Sequence, residues 1–145
     1  ITVHANGGLD MLKAVKKHAK KINKKLKVLG VTVLTSLNNK SLKEIGHTKN
    51  VQQLVLKQAE LIKKSGCDGI VCSPQESNMI RKKYKNFLIV TPGIRLPGDN
   101  SNDQARVMTP KDAFKNKVSG VVMGRSLTKG NIKDNVKKLI DHLNQ

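Results

Sequence analysis

Aromatic residues are scarce in this chain, which has no tryptophan, one tyrosine and two phenylalanines in 145 residues. Its core must therefore be aliphatic, built from Val, Ile, Leu and Met. Stacking platforms of the kind that hold single-stranded nucleic acid are missing. Cysteine is almost as rare. Cys67 and Cys72 flank one predicted strand, and residue steps of about 3.3 Å would hold them roughly 16 Å apart on opposite faces. They cannot bridge within that strand, and no His/Cys grouping has zinc spacing. Two buried free thiols in a reducing cytoplasm are expected. No apolar run approaches the ~20 residues of a membrane span, and no charged-then-apolar leader is visible. The sequence starts at Ile1, already inside a strand-like run, so a missing N-terminal part is expected.

Acidic residues are few as well. Ten Asp and Glu stand against 28 Lys and Arg, a formal net charge of +18. Such a charge admits a nucleic-acid or membrane-surface binder. All but four of the basic residues are lysines, however, and they fall where helical spacing faces water, as at Lys13, Lys16, Lys17, Lys20, Lys21, Lys24 and Lys25. A solvated lysine coat on amphipathic helices accounts for them better. Nucleic acid is therefore a disfavoured partner, and no membrane partner is expected. Arg95, Arg106 and Arg125 differ from the lysines in lying in or near glycine-marked loops.

What the chain does have is strict alternation. Residues 1–5 read as a strand, and Met11, Leu12, Val15, Ala19, Ile22 and Leu26 give the following segment a helical stripe. A second β-branched run covers 28–34. Ser41-Leu42-Lys43-Glu44 has capping-box spacing for a short helix, and 51–64 is a further amphipathic helix. The third strand, at 69–72, runs into Ser73-Pro74-Gln75-Glu76, an N-cap followed by proline at the first helical position. The fourth strand ends in Thr91-Pro92-Gly93, and Thr109-Pro110 opens the next helix. The fifth strand, 119–123, leads to Gly124-Arg125-Ser126, and Asn131 caps a last helix striped by Ile132, Val136, Leu139, Ile140 and Leu143.

Alternating elements whose strands look buried on both faces imply an α/β fold with a parallel sheet. Five repeats in 145 residues average about 29 residues, the size of one unit of a TIM-type barrel. Such a barrel needs eight strands, so the fold expected is an incomplete parallel (β/α) barrel, one domain spanning 1–145. Its two unpaired edges and uncovered core predict a chain that oligomerises, aggregates or folds loosely alone.

In barrels of this type the ligand sits at the C-terminal ends of the strands, and a phosphate often lies on the loops after the last two. Those loops here are Pro92-Gly93-Ile94-Arg95 and Gly124-Arg125-Ser126. Glycine lets backbone amides approach an anion, and a guanidinium can grip its oxygens bidentately. Gln104, at the far end of the same polar loop, could close over the ligand. Thr35 and Ser36 end the second strand on the same side. No lysine or carboxylate ends any strand, so the chain offers a place for phosphate and no group to do chemistry.

Six stretches in order, VHANGG at 3–8, VTVLTS at 31–36, DGIVCSPQE at 68–76, VTPGIR at 90–95, DQARVMTP at 103–110 and GRSLT at 124–128, closely resemble bacterial orotidine 5′-phosphate decarboxylases. The resemblance covers the fourth to eighth units of that family's (β/α)8 barrel. It implies decarboxylation of orotidine 5′-phosphate to uridine 5′-phosphate and CO2 in pyrimidine biosynthesis, with no metal or organic cofactor. It further implies a cytoplasmic enzyme whose site is completed across a homodimer. By the same resemblance Arg95, Gln104, Gly124 and Arg125 hold the phosphate, and Thr35 and Ser36 contact the nucleotide. The family's catalytic D-x-K-x-x-D motif occurs nowhere in this sequence. No catalytic residue is therefore expected in this chain, and the chain alone should be inactive. Ser126 stands where many members have proline. The alternatives are another phosphosugar-binding barrel and a non-catalytic basic nucleic-acid-binding module.

Overall fold

The computed structural model of the chain describes residues 1–99 and 105–144. Five strands, β1 Thr2–His4, β2 Leu29–Val31, β3 Gly69–Val71, β4 Leu88–Thr91 and β5 Gly120–Val121, lie side by side in that order. Every neighbouring pair is parallel. Sequential order with parallel pairing requires a crossover after each strand. These crossovers are supplied by α1 Gly8–Ile22, α2 Asn39–Glu44 with α3 Val51–Lys64, α4 Pro74–Lys83 and α5 Pro110–Lys115. After β5 the chain continues into α6 Arg125–Thr128 and α7 Ile132–Asn144.

The core lies between the sheet and the helices. In register across the middle strands, Gly30, Ile70 and Ile89 face the helices and are buried with Leu12, Val55, Ala59, Ile62 and Ile80. Gly30 is there for space, since a Cβ would come within 2.3 Å of the Ile62 side chain. Alternate residues face the other way. On that inner face Val31, Val71 and Val90 are only half-buried, and Val122 is 52% exposed. The expectation of strands buried on both faces thus holds on one side only. The five strands form an open sheet, with β1 and β5 at its edges and no further strand closing over the inner face among the described residues.

Several local details differ from the sequence reading. The cap of α2 is Asn38, whose side chain accepts from the Ser41 N–H, so Ser41 lies inside the helix instead of starting it. The capping box belongs to α3, where Asn50 and Gln53 exchange side-chain and backbone bonds. Arg125 and Ser126, read from the sequence as part of the loop after β5, open the short helix α6. The predicted stripe of α7 exists, but Ile132, Val136, Ile140 and Leu143 are exposed, with no packed layer over them among the described residues. Ser73, Thr109 and Asn131 do cap their helices, and both cysteines are free and buried.

Asp68 fastens the N-terminal end of the sheet. Its carboxylate accepts from the Val28 N–H at 2.8 Å and pairs with Lys16. Burial alone would raise its pKa, but the Lys16 and Val28 bonds and the charges of Lys16 and Lys27 outweigh that and hold it below its ordinary value. A carboxylate with a lowered folded pKa contributes stability above its unfolded value and loses it as pH falls through the folded one. Asp68→Asn should therefore cost about 1–3 kcal/mol near neutral pH. In urea titrations, the gap between the two proteins should close as the pH drops below 3.8, the ordinary value of this carboxyl.

Candidate functional site

Parallel strands send all their C-terminal ends to one side, and there the loops meet. A cavity of about 380 Å³ opens between them. Its floor is apolar, from Val31, Val71 and Val122 on the inner face of the sheet. Its rim is polar and cationic, formed by Thr35 and Ser36 after β2, Pro92, Gly93 and Arg95 after β4, and Gly124 and Arg125 after β5. The structure thus brings together Thr35, Ser36, Arg95, Gly124 and Arg125, residues that come from three separate loops. Gln104 lies outside the described residues. His4, at the end of β1, is exposed and does not line this cavity.

Arg95 is held by its own loop. Gly93 takes φ +77°, a conformation that favours glycine, just after β4. Residues 106–108 run beside residues 93–95 in the same direction. Arg95 N–H donates to Met108 O, and Met108 N–H donates to Gly93 O, both at 3.1 Å, around an Ile94–Met108 bridge. Arg95 is only 8% exposed. One of its Nη groups donates to Ile94 O at 2.9 Å, and Nε has no hydrogen-bond partner among the described residues. A buried guanidinium with an unmet donor is a strong acceptor-seeking group. Arg125, by contrast, is exposed at the start of α6.

Two residues that sequence reasoning passed over lie directly behind this rim. Arg106 is 6% exposed and Glu76 is 4% exposed, and they form an ion pair at 2.6 Å. In the sequence Glu76 looked like the third residue of a helix start, and Arg106 like one more loop arginine. Burial pushes the Glu76 carboxyl above its ordinary value, against the opposing pull of the Arg106 guanidinium. Burial, and then the Glu76 charge, push the neighbouring Cys72 thiol up to about 12. That thiol therefore stays protonated at neutral pH and is no nucleophile, although it lines the cavity. Among the described residues no group of three or more His, Cys, Asp or Glu side chains could hold a metal ion.

Gly93 should tolerate no side chain. A Cβ there would lie 2.7 Å from Arg106 O, on a backbone with positive φ. Gly93→Ala is expected to cost about 1–3 kcal/mol and to shift the loop that carries Arg95. Its melting temperature, set beside that of Gly98→Ala, checks this, because Gly98 also has positive φ but has nothing within 4 Å of its Cβ position.

Comparison with known proteins bears on both fold and site. A family model described as orotidine 5′-phosphate decarboxylase / HUMPS family matches residues 1–139. The chain is 43% identical over 131 residues to the orotidine 5′-phosphate decarboxylase of Coxiella burnetii (strain RSA 331 / Henzerling II), covering 88% of this chain and 56% of that protein. It is 44% identical over 130 residues to that of Wigglesworthia glossinidia brevipalpis, covering 89% of this chain and 56% of the relative. The crystal structure of the Lactobacillus acidophilus enzyme superposes with a TM-score of 0.78 at 33% identity, covering 99% of this chain and 62% of that one. The Methanocaldococcus jannaschii enzyme complexed with the inhibitor BMP gives 0.71 at 26% identity, covering 100% and 61%. The chain therefore spans little more than half the length of the curated relatives it matches, and its five strands are part of a TIM barrel. On sequence and structure together, the chain belongs to the orotidine 5′-phosphate decarboxylase / HUMPS family.

Proposed function

We propose that this chain is the phosphate-anchoring part of an orotidine 5′-phosphate decarboxylase, corresponding to the C-terminal units of the barrel. The observation that carries this reading is Arg95. An arginine this deeply buried, with Nε unmet among the described residues, lines a cavity that also carries Gly124 and Arg125. An anion between those two loops would supply an acceptor for Arg95 Nε. The apolar floor of Val31, Val71 and Val122 suits the flat body of a nucleotide, and Thr35 and Ser36 suit its polar edge. We assign the phosphate to Arg95, Gln104, Gly124 and Arg125, and the pyrimidine nucleoside to Thr35 and Ser36. We further take the working form to be a cytoplasmic homodimer of the longer protein, as the family resemblance implies.

The chemical role of this part is indirect. Phosphate contacts lie away from the carbon that loses CO2. Their binding energy holds the substrate against whatever groups act on that carbon. Those groups are not in this sequence, which has no D-x-K-x-x-D and no lysine or carboxylate at a strand end.

Titration of the chain with uridine 5′-phosphate and with uridine, followed calorimetrically, tests the assignment. Uridine 5′-phosphate should bind more tightly than uridine. Arg95→Ala should weaken the nucleotide by about tenfold to a hundredfold, the size of a hydrogen-bonded charge, and leave uridine unchanged. Arg125→Ala should act in the same direction but less, because Arg125 is exposed. Equal affinity for nucleotide and nucleoside, or indifference to Arg95→Ala, would refute the phosphate site. Duplex DNA bound tightly at physiological salt, with both arginine variants unaffected, would favour the nucleic-acid reading instead.

A further inference from the structure

We propose that Arg106, oriented by Glu76, is a positioning residue for the anion site, a staple that fixes the loop carrying Arg95 against the turn carrying Thr35 and Ser36. The inference rests on the phosphate reading of the cavity but concerns residues outside its rim. The Arg106 guanidinium reaches across three consecutive βα units. One Nη group donates to Val33 O at 3.2 Å and to Leu34 O at 2.9 Å, just past the end of β2. The other meets Glu76 Oε2 at 2.6 Å, in the first turn of α4. The backbone of Arg106 belongs to the segment that pairs in parallel with residues 93–95, and its own carbonyl packs against Gly93. Next to it, Ala105 N–H donates to Thr35 O at 3.2 Å. One side chain therefore sets the distance between the Thr35 turn and the Arg95 loop.

Generic stability is a poor explanation for such a pair. Burying two opposite charges costs desolvation that their attraction roughly cancels, and apolar replacements of similar volume are often as stable. What a buried fork gives is direction. A planar guanidinium hydrogen-bonded to two carbonyls and ion-paired with a carboxylate has one orientation, so the loops it joins have one spacing. It also covers two carbonyl oxygens at a strand end, where unpaired acceptors would oppose an incoming anion. Its charge is neutralised locally by Glu76, so Arg106 acts on the ligand through the loops it joins.

The test uses the 145-residue chain with Arg106→Gln, Arg106→Lys and Glu76→Gln, and Asp68→Asn as a control at the opposite end of the sheet. Backbone amide exchange is read at Arg95, Ala105 and Met108, alongside the ratio of uridine 5′-phosphate to uridine affinity. In Arg106→Gln those amides should exchange at least about tenfold faster, as expected for local opening eased by loss of a charged hydrogen bond. The affinity ratio should fall by a similar factor. Arg106→Lys, which keeps the charge but loses the fork, should restore only part of both effects, and Glu76→Gln should move both in the same direction. Asp68→Asn should lower the melting temperature without changing the ratio. Unchanged exchange and an unchanged ratio in folded Arg106→Gln would overturn the staple. Should that variant fail to fold, Glu76→Gln decides by the same two readings, since it removes the charge and keeps the shape. If the unmodified chain shows no preference for the nucleotide, the phosphate reading fails, and the amide exchange alone decides whether Arg106 joins the loops.

Discussion

Parallel register is the constraint from which the rest of this structure follows. Each strand pairs with the next in sequence and in the same direction, so every loop after a strand opens on one side. Three of those loops carry the candidate site. Register alone brings them near each other, but it does not fix their spacing to the fraction of an ångström that ligand binding needs. Finer control comes from the paired segments after β4. There Gly93 takes a positive φ, the segment around Met108 pairs in parallel with residues 93–95, and Arg106 reaches from it to the loop after β2 and to α4. Precision at the rim thus depends on contacts behind it.

Much of this was legible in the sequence, for identifiable reasons. Strand and helix order could be read because β-branched runs and helical stripes alternate without interruption, and because Ser73-Pro74 and Thr109-Pro110 mark helix starts locally. The rim residues stood out for the same kind of reason: arginines are rare here, and Arg95 and Arg125 follow glycine-marked strand ends. The illegible parts depend on distance across the fold. Glu76 at the third position of a helix start looks like a capping residue until its partner, thirty residues on, is seen to come from another unit. Asn38 caps α2 and Ser41 does not, because the cap is chosen by backbone geometry as well as residue type. The open inner face followed from the count of five units, which cannot close a barrel over its core, and not from the valines themselves, since Val31, Val71 and Val122 would look the same in a closed one.

The lysine coat now has a clearer meaning. Nearly all of the α1 lysines stand exposed, as a solvated face should. Lys16 is the exception, turned to Asp68 at the N-terminal end of the sheet. The positive charges buried at the loop end of the sheet are two arginines, Arg95 and Arg106. Sheer charge and placed charge are therefore separate properties of this chain, and the second is the one tied to the cavity. Exposed apolar residues tell a complementary story. Val122 on the inner face, and Ile132, Val136 and Ile140 on α7, present surface of the kind that folded domains normally cover. This agrees with a chain that matches little more than half the length of its relatives.

The central claim is a division of labour, with anchoring groups in this chain and reacting groups supplied by sequence it does not contain. Decarboxylation of orotidine 5′-phosphate, followed by release of CO2, tests it most directly. The assay compares the chain alone with the chain mixed with an N-terminal segment of a relative bearing D-x-K-x-x-D. The account predicts no turnover from either part alone, turnover from the mixture, and loss of that turnover when the mixture carries Arg95→Ala. Turnover by the 145-residue chain on its own, or a mixture indifferent to Arg95→Ala, would contradict it.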